Sequence, residues 1–110
     1  MPCSGDILAA ALVICEESTL RSVAANMNIE IASVEVEVDI HWDFRGTMGV
    51  DRTIPIGATG IDVRTRVRVK HDVDEDRARR LLGSAEHFCS TLQTLRDGVK
   101  VVTDFAIDAG

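Results

Sequence analysis

Apolar and polar residues alternate along the chain with two different periods, and the places where the period changes divide it into elements. Ile7, Leu8, Ala11, Leu12, Cys15, Thr19 and Val23 recur at steps of three and four, the spacing of one helix face. Ser4 suits the N-cap and Asp6 the first turn, so the pattern predicts a helix from Gly5 to Asn26. Ala9, Ala10, Val13 and Ile14 make its first half apolar nearly all round, which predicts burial on several sides.

From Ile31 the period falls to two. Val34, Val36, Val38 and Ile40 take one face, and Glu35, Glu37 and Asp39 the other. Ile61, Val63, Thr65, Val67 and Val69 alternate in the same way with Asp62, Arg64, Arg66, Arg68 and Lys70. One outer face is acidic and the other basic, so the two strands are expected to pair as an antiparallel hairpin with ion pairs on the solvent side. The connection from Asp43 to Thr59 contains Gly46, Gly49, Pro55 and Gly57 and is long for a hairpin.

Asp72 and Glu75 resemble a capping box ahead of the stripe Leu81, Leu82, Ala85 and Phe88, which predicts a helix from Val73 to His87. A short third helix over Cys89 to Arg96 ends at Asp97-Gly98, and a last strand from Val99 to Ile107 is expected to follow. The reading is a single α+β domain over residues 1–110, in the order α-β-β-α-α-β. Three strands do not cover a helix that is apolar on more than one side, so a second copy of the chain is expected to supply the rest.

Composition narrows the function. Of 110 residues 45% are hydrophobic, enough for one core, and the formal charge of -6 argues against a nucleic-acid partner, which needs clustered Lys and Arg. The longest apolar run, Ile7 to Cys15, is far shorter than the roughly 20 residues that cross a bilayer. It is preceded by no basic leader, so a cytoplasmic protein without a membrane partner is expected. His41, His71 and His87 fall on separate elements, giving no metal site, and no cofactor is expected. Trp42 and Phe44 read as packing at a strand end.

Three widely spaced cysteines, Cys3, Cys15 and Cys89, fit neither a disulfide-dense scaffold nor paired zinc ligands; they are small buried hydrophobes or working thiols. Their surroundings carry a resemblance. Ser4-Gly5-Asp6-Ile7-Leu8-Ala9-Ala10-Ala11-Leu12-Val13-Ile14-Cys15, followed by Ser18-Thr19-Leu20, resembles the central helix of the OsmC and organic-hydroperoxide-resistance family, which leads to a reactive cysteine. Cys89-Ser90-Thr91-Leu92-Gln93-Thr94-Leu95, then Gly98-Val99, is similar to that family's second-cysteine motif. Asp43 to Val50 looks like the loop of one subgroup.

The resemblance implies an intertwined homodimer with sheets wrapped around paired central helices, and thiol-dependent reduction of organic hydroperoxides by a Cys15/Cys89 pair, reset by an external dithiol or lipoyl-type reductant. Three departures accompany it. The family normally opens with strands carrying an arginine that activates the first thiolate, whereas this sequence starts almost at the helix. A glutamate paired with that arginine has its best match at Gly5, with Asp6 beside it as a shorter substitute. Cys89 is also followed by Ser90 where proline is usual.

A peroxidatic cysteine must present a thiolate. Cys15 lies mid-helix, away from the helix's own N-terminus, and Glu16 and Glu17 beside it disfavour the charge. Activation is therefore expected from elsewhere, with Arg45 and Arg52 of the long loop as the candidate cations. Cys3, near a chain end, is expected to be exposed and dispensable. Two functions remain open: a weak thiol peroxidase, and a non-catalytic dimer that binds a small apolar ligand.

Overall fold

The computed structural model describes residues 3–70 and 72–108; His71, and with it part of the histidine reading above, lies outside them. Helix α1 spans Ser4–Asn26, and its N-cap is Cys3, one residue before the expected Ser4. Asp6 reaches back to accept the Cys3 backbone N–H at 3.3 Å, and so occupies one of the donors a helix start leaves unpaired. The other end closes on Asn28, whose φ of 56° lies in the left-handed region. There the Ile29 N–H bonds Ala24 O at 2.9 Å and the Asn28 N–H bonds Ala25 O at 3.2 Å, the paired bonds of a Schellman stop, with Ile29 and Ala24 packed in one cluster.

Strands β1 (Ile31–His41) and β2 (Gly60–Val69) pair antiparallel. The register sets Glu35 opposite Arg66 and Glu37 opposite Arg64. Arg64 binds Asp39 at 2.6 Å and Glu37 at 3.1 Å, so the charged outer face is self-neutralising, as the alternation of signs predicts. Between the strands the long connection folds a short helix, α2 (Phe44–Thr47), capped by Asp43. Gly46 sits so close to Pro55 that a Cβ there would overlap the Pro55 carbonyl. His41 at the end of β1 bonds Asp62 at 2.7 Å.

Helix α3 (Glu75–Phe88) is capped by Asp74, which accepts the Arg77 N–H at 2.7 Å. The cap is thus two residues later than the expected Asp72. Arg77 also donates to Met27 O at 2.6 Å, tying α3 to the carbonyl end of α1. A short helix α4 (Ser90–Asp97) follows directly and stops at Gly98, with φ 66°.

Leu12, Glu16, Leu20 and Ala24, each four residues on, form the buried line of α1. Two clusters share that line. Leu20, Ala24, Ile29, Leu81 and Ala85 form one, roofed by the apolar face of the sheet, and Leu12, Cys89 and Leu92 form the other with Val38, Ile61 and Val63.

The observed order is α-β-α-β-α-α, and the sheet has two strands among the described residues. The third strand expected over Val99–Ile107 is absent: the segment carries no regular structure and its apolar residues lie in solvent, Phe105 at 85% exposure and Ile107 at 93%. A strand forms only against an edge that satisfies its backbone groups, and within one chain the segment pairs with neither β1 nor β2. The all-round burial expected for the first half of α1 is likewise missing from a single chain, since Ile7 and Ile14 are 60% and 66% exposed.

Candidate functional site

Cys15 sits one residue before Glu16 on the buried line of α1, so the helical rotation places it at the border of the core, half-buried. Its partners come from the junction of α3 and α4. There the backbone of Cys89 turns extended, with φ -73° and ψ 103°, which ends α3 and makes Cys89 the N-cap of α4. This kink buries the Cys89 side chain completely and turns the first residues of α4 toward Cys15.

The Cys15 Sγ lies 3.7 Å from Ser90 Oγ. The Thr91 hydroxyl and backbone N–H, the Ser90 hydroxyl and the Cys89 thiol are the groups that act on the charge of the same sulfur. The N–H groups of a first helical turn lack intrahelical acceptors, so the start of α4 is an environment that favours negative charge on a neighbouring group. These donors favour the charged form. The Thr91 hydroxyl above all, against an opposing contribution from burial, brings the Cys15 thiol from its ordinary 9.0 down to about 6.

Cys89 is shifted the other way. Burial first, with the neighbouring Cys15 and Glu16 adding to it against a hydrogen bond from the Leu92 backbone, pushes its thiol up to about 12. The two neighbouring thiols are thereby shifted apart, Cys15 toward its charged form and Cys89 toward its neutral one. Both are free cysteines, with no disulfide between them. Cys3 is exposed.

Glu16 is the less expected member. It is 3% exposed, and its Oε2 has no hydrogen-bond partner among the described residues. Burial raises its carboxyl above the ordinary range; a hydrogen bond from the Cys89 thiol opposes that shift, and the charge of Glu86 adds to it. Glu86 is itself paired with Arg96 at 2.9 Å. Glu17 binds Arg21 at 3.2 Å, one turn further along α1.

The other residues singled out from the sequence are engaged elsewhere. Arg45 grips Asp43 at 2.6 Å, Arg52 is exposed in the loop, and Asp6 holds the Cys3 backbone. No arginine is among the groups that act on the Cys15 thiol. A signal for these groups was present in the chain: Ser90-Thr91 directly after Cys89 and ahead of a helical stripe marks a first turn with free N–H groups. For Glu16 the signal was its position midway between Leu12 and Leu20, on the face that must be buried.

Next to the thiols, an open groove of about 660 Å3 runs along Leu8, Leu12, Trp42, Ile61, Leu92 and Leu95, with Glu86 and Arg96 at its rim. Leu12 and Leu92 belong both to its wall and to the cluster around Cys89. Among the described residues no group of His, Cys, Asp and Glu side chains is arranged to hold a metal ion, and no helix is long and apolar enough to cross a membrane.

Comparison with solved structures finds the same fold in the crystal structure of an OsmC like protein from Mycoplasma pneumoniae, with a TM-score of 0.72 at 18% identity. The alignment takes in 86% of this chain and 62% of that one, so the chain spans less than two thirds of its structural neighbour. No curated protein sequence matches the chain. A family model described as OsmC-like protein matches residues 1–104, and on that match the chain belongs to the OsmC-like family.

Proposed function

We propose that the protein is a thiol-dependent peroxidase that reduces organic hydroperoxides, with Cys15 as the peroxidatic and Cys89 as the resolving cysteine. The observation that carries this reading is the opposite shift of two adjacent thiols, Cys15 down to about 6 and Cys89 up to about 12. Sites that need one group charged and its neighbour protonated separate their pKa values in this way. The donors at the start of α4 take the part that an activating arginine would play, and Arg45, Arg52 and Asp6 are assigned none.

The Cys15 thiolate attacks the outer oxygen of the hydroperoxide. An S–O bond forms, the O–O bond breaks, and the alkoxide leaves as the alcohol after taking a proton. Cys89 then displaces the oxygen from the Cys15 sulfenic acid, giving a disulfide and water. An external dithiol, of lipoyl type or smaller, returns both sulfurs to thiols by exchange. This cycle suits the reducing cytoplasm, where a free thiol pair persists, and family membership associates it with defence against oxidative stress.

The working unit in this reading is a homodimer. A chain of this length folded on itself has a radius of gyration of about 13 Å, whereas this one has 18.5 Å. A compact monomer of this mass exposes about 6,000 Å2, and here 8467 Å2 is exposed. A second copy covering Ile7 and Ile14 of α1 and giving residues 99–107 a sheet edge accounts for the excess.

Steady-state consumption of cumene hydroperoxide with dihydrolipoamide as reductant tests the proposal. Turnover that disappears in Cys15→Ser supports it; equal consumption by the wild type and Cys15→Ser rejects it. The apolar groove beside the thiols favours a second reading, a dimer that binds a small apolar ligand without reacting. An inert Cys15 together with saturable binding of a fatty-acid probe would select that one.

A further inference from the structure

Glu16 is a buried titratable group that the cycle above does not use, and its surroundings give it a task. Its carboxyl lies on the core line of α1 between Leu12 and Leu20, where the two hydrophobic clusters meet, with one oxygen unpartnered. The Cys89 side chain, fully buried at the junction of α3 and α4, packs against Leu12 one turn before Glu16, which sets its thiol among the groups that act on the carboxyl. Cys15 is the preceding residue on the same helix. One carboxyl thus stands beside both sulfurs that must be joined.

We propose that Glu16 is the general base of the disulfide-forming step, taking the proton of Cys89 as that sulfur attacks Cys15. The role rests on the peroxidase reading for its biological setting. The Cys89 electron pair forms the Sγ–Sγ bond while the S–O bond of the Cys15 sulfenic acid breaks. The proton removed from Cys89 passes through Glu16 to the departing hydroxide, which leaves as water, and the carboxylate is regenerated. No oxidant beyond the hydroperoxide already consumed is required.

The need for a base follows from burial. A thiol held near 12 is ionised in about one molecule per 100,000 at pH 7, so attack by preformed thiolate is slow. Burial raises the carboxyl and so makes it a stronger base than a solvated one. The charged and titratable groups that act on it are Cys89 at the junction and Glu86 on α3, the latter paired with Arg96 on α4; the sheet contributes only Val38, Ile61 and Val63 to the neighbouring Leu12–Cys89 cluster. Only Cys89 among them offers Glu16 a proton to take in this step.

The test uses no hydroperoxide, so its outcome is independent of whether Cys15 reacts with one. In a Cys3→Ser background, dithionitrobenzoate reacts first with Cys15, releasing thionitrobenzoate. Cys89 then attacks the mixed disulfide on Cys15 and releases a second equivalent. Glu16→Gln is expected to change the first phase by less than about threefold and to slow the second by about 100-fold, the usual contribution of a positioned base. The wild-type second phase should level off above the Glu16 titration, while in the variant it climbs about tenfold per pH unit toward the ionisation of Cys89. Equal second phases in the two proteins, or a wild-type second phase that climbs without levelling, overturn the assignment. Should Glu16→Gln not fold, the wild-type profile alone decides. Failure of the peroxidase reading is seen separately, as a Cys15 that hydroperoxide leaves unoxidised.

Discussion

Replacing Thr91 by valine isolates the interaction that activates Cys15. The substitution keeps the shape of the side chain and the backbone N–H, and removes the hydroxyl that contributes most to lowering the thiol to about 6. A hydrogen bond to a charged group contributes about 1.5–3 kcal/mol, which is about one to two pH units on the titration. Thr91→Val should therefore titrate between about 7 and 8. The rate at a single neutral pH is a poor readout. Fewer molecules are thiolate, but each thiolate is a better nucleophile by about threefold per unit of pKa, so much of the loss is hidden. The assay is the pH dependence of alkylation by iodoacetamide, whose midpoint reports the thiol directly. A midpoint unchanged in Thr91→Val, or a wild-type midpoint near the ordinary 9.0, would refute the claim that the first turn of α4 activates this cysteine.

Other outcomes follow from the same structure. Because the folded Cys15 titrates near 6 and the unfolded one near 9.0, its thiolate adds stability that is complete above 9 and lost as pH falls through 6. The stability gap between the wild type and Cys15→Ser in urea should widen over that window by about 2 kcal/mol, half the unscreened value because the sulfur is only partly buried. Above pH 9 Cys89 acts in the opposite sense, since its unfolded thiol ionises while the folded one stays protonated, and stability should decline. Leu81→Ala empties a fully buried position in the larger cluster and should cost about 2–5 kcal/mol in the same unfolding assay. Gly46→Ala drives a methyl group into the Pro55 carbonyl and should cost about 1–3 kcal/mol.

Local periodicity made most of the architecture legible. The three- and four-residue steps of α1 and the alternation in β1 and β2 depend on contacts along one element or across one pair of strands, and the ion pairs of Arg64 with Glu37 and Asp39 follow from the same alternation. Caps were displaced by one or two residues, as at Cys3 and Asp74, because several neighbouring side chains can accept the same free N–H groups. The strand expected over Val99–Ile107 failed for a different reason. Its alternation is real, but a strand also needs an edge, and an edge is a property of the assembly and not of the segment. At the site, the two cysteine motifs marked the thiols. The sequence points to the loop arginines Arg45 and Arg52 as the cations beside Cys15 because a lowered thiol pKa usually calls for a positive charge. The structure instead sets Ser90 and Thr91, immediately after the second cysteine, beside Cys15, a neighbourhood that exists only because the kink at Cys89 turns α4 toward α1.

Intact-protein mass spectrometry after one equivalent of cumene hydroperoxide addresses the proposed chemistry with the fewest assumptions. In the wild type the account predicts loss of the mass of two hydrogens, with peptide mapping joining Cys15 to Cys89 and leaving Cys3 free. In Cys89→Ser it predicts a Cys15 sulfenic acid that dimedone traps. A folded protein whose Cys15 remains an unmodified thiol after hours with the hydroperoxide would contradict it.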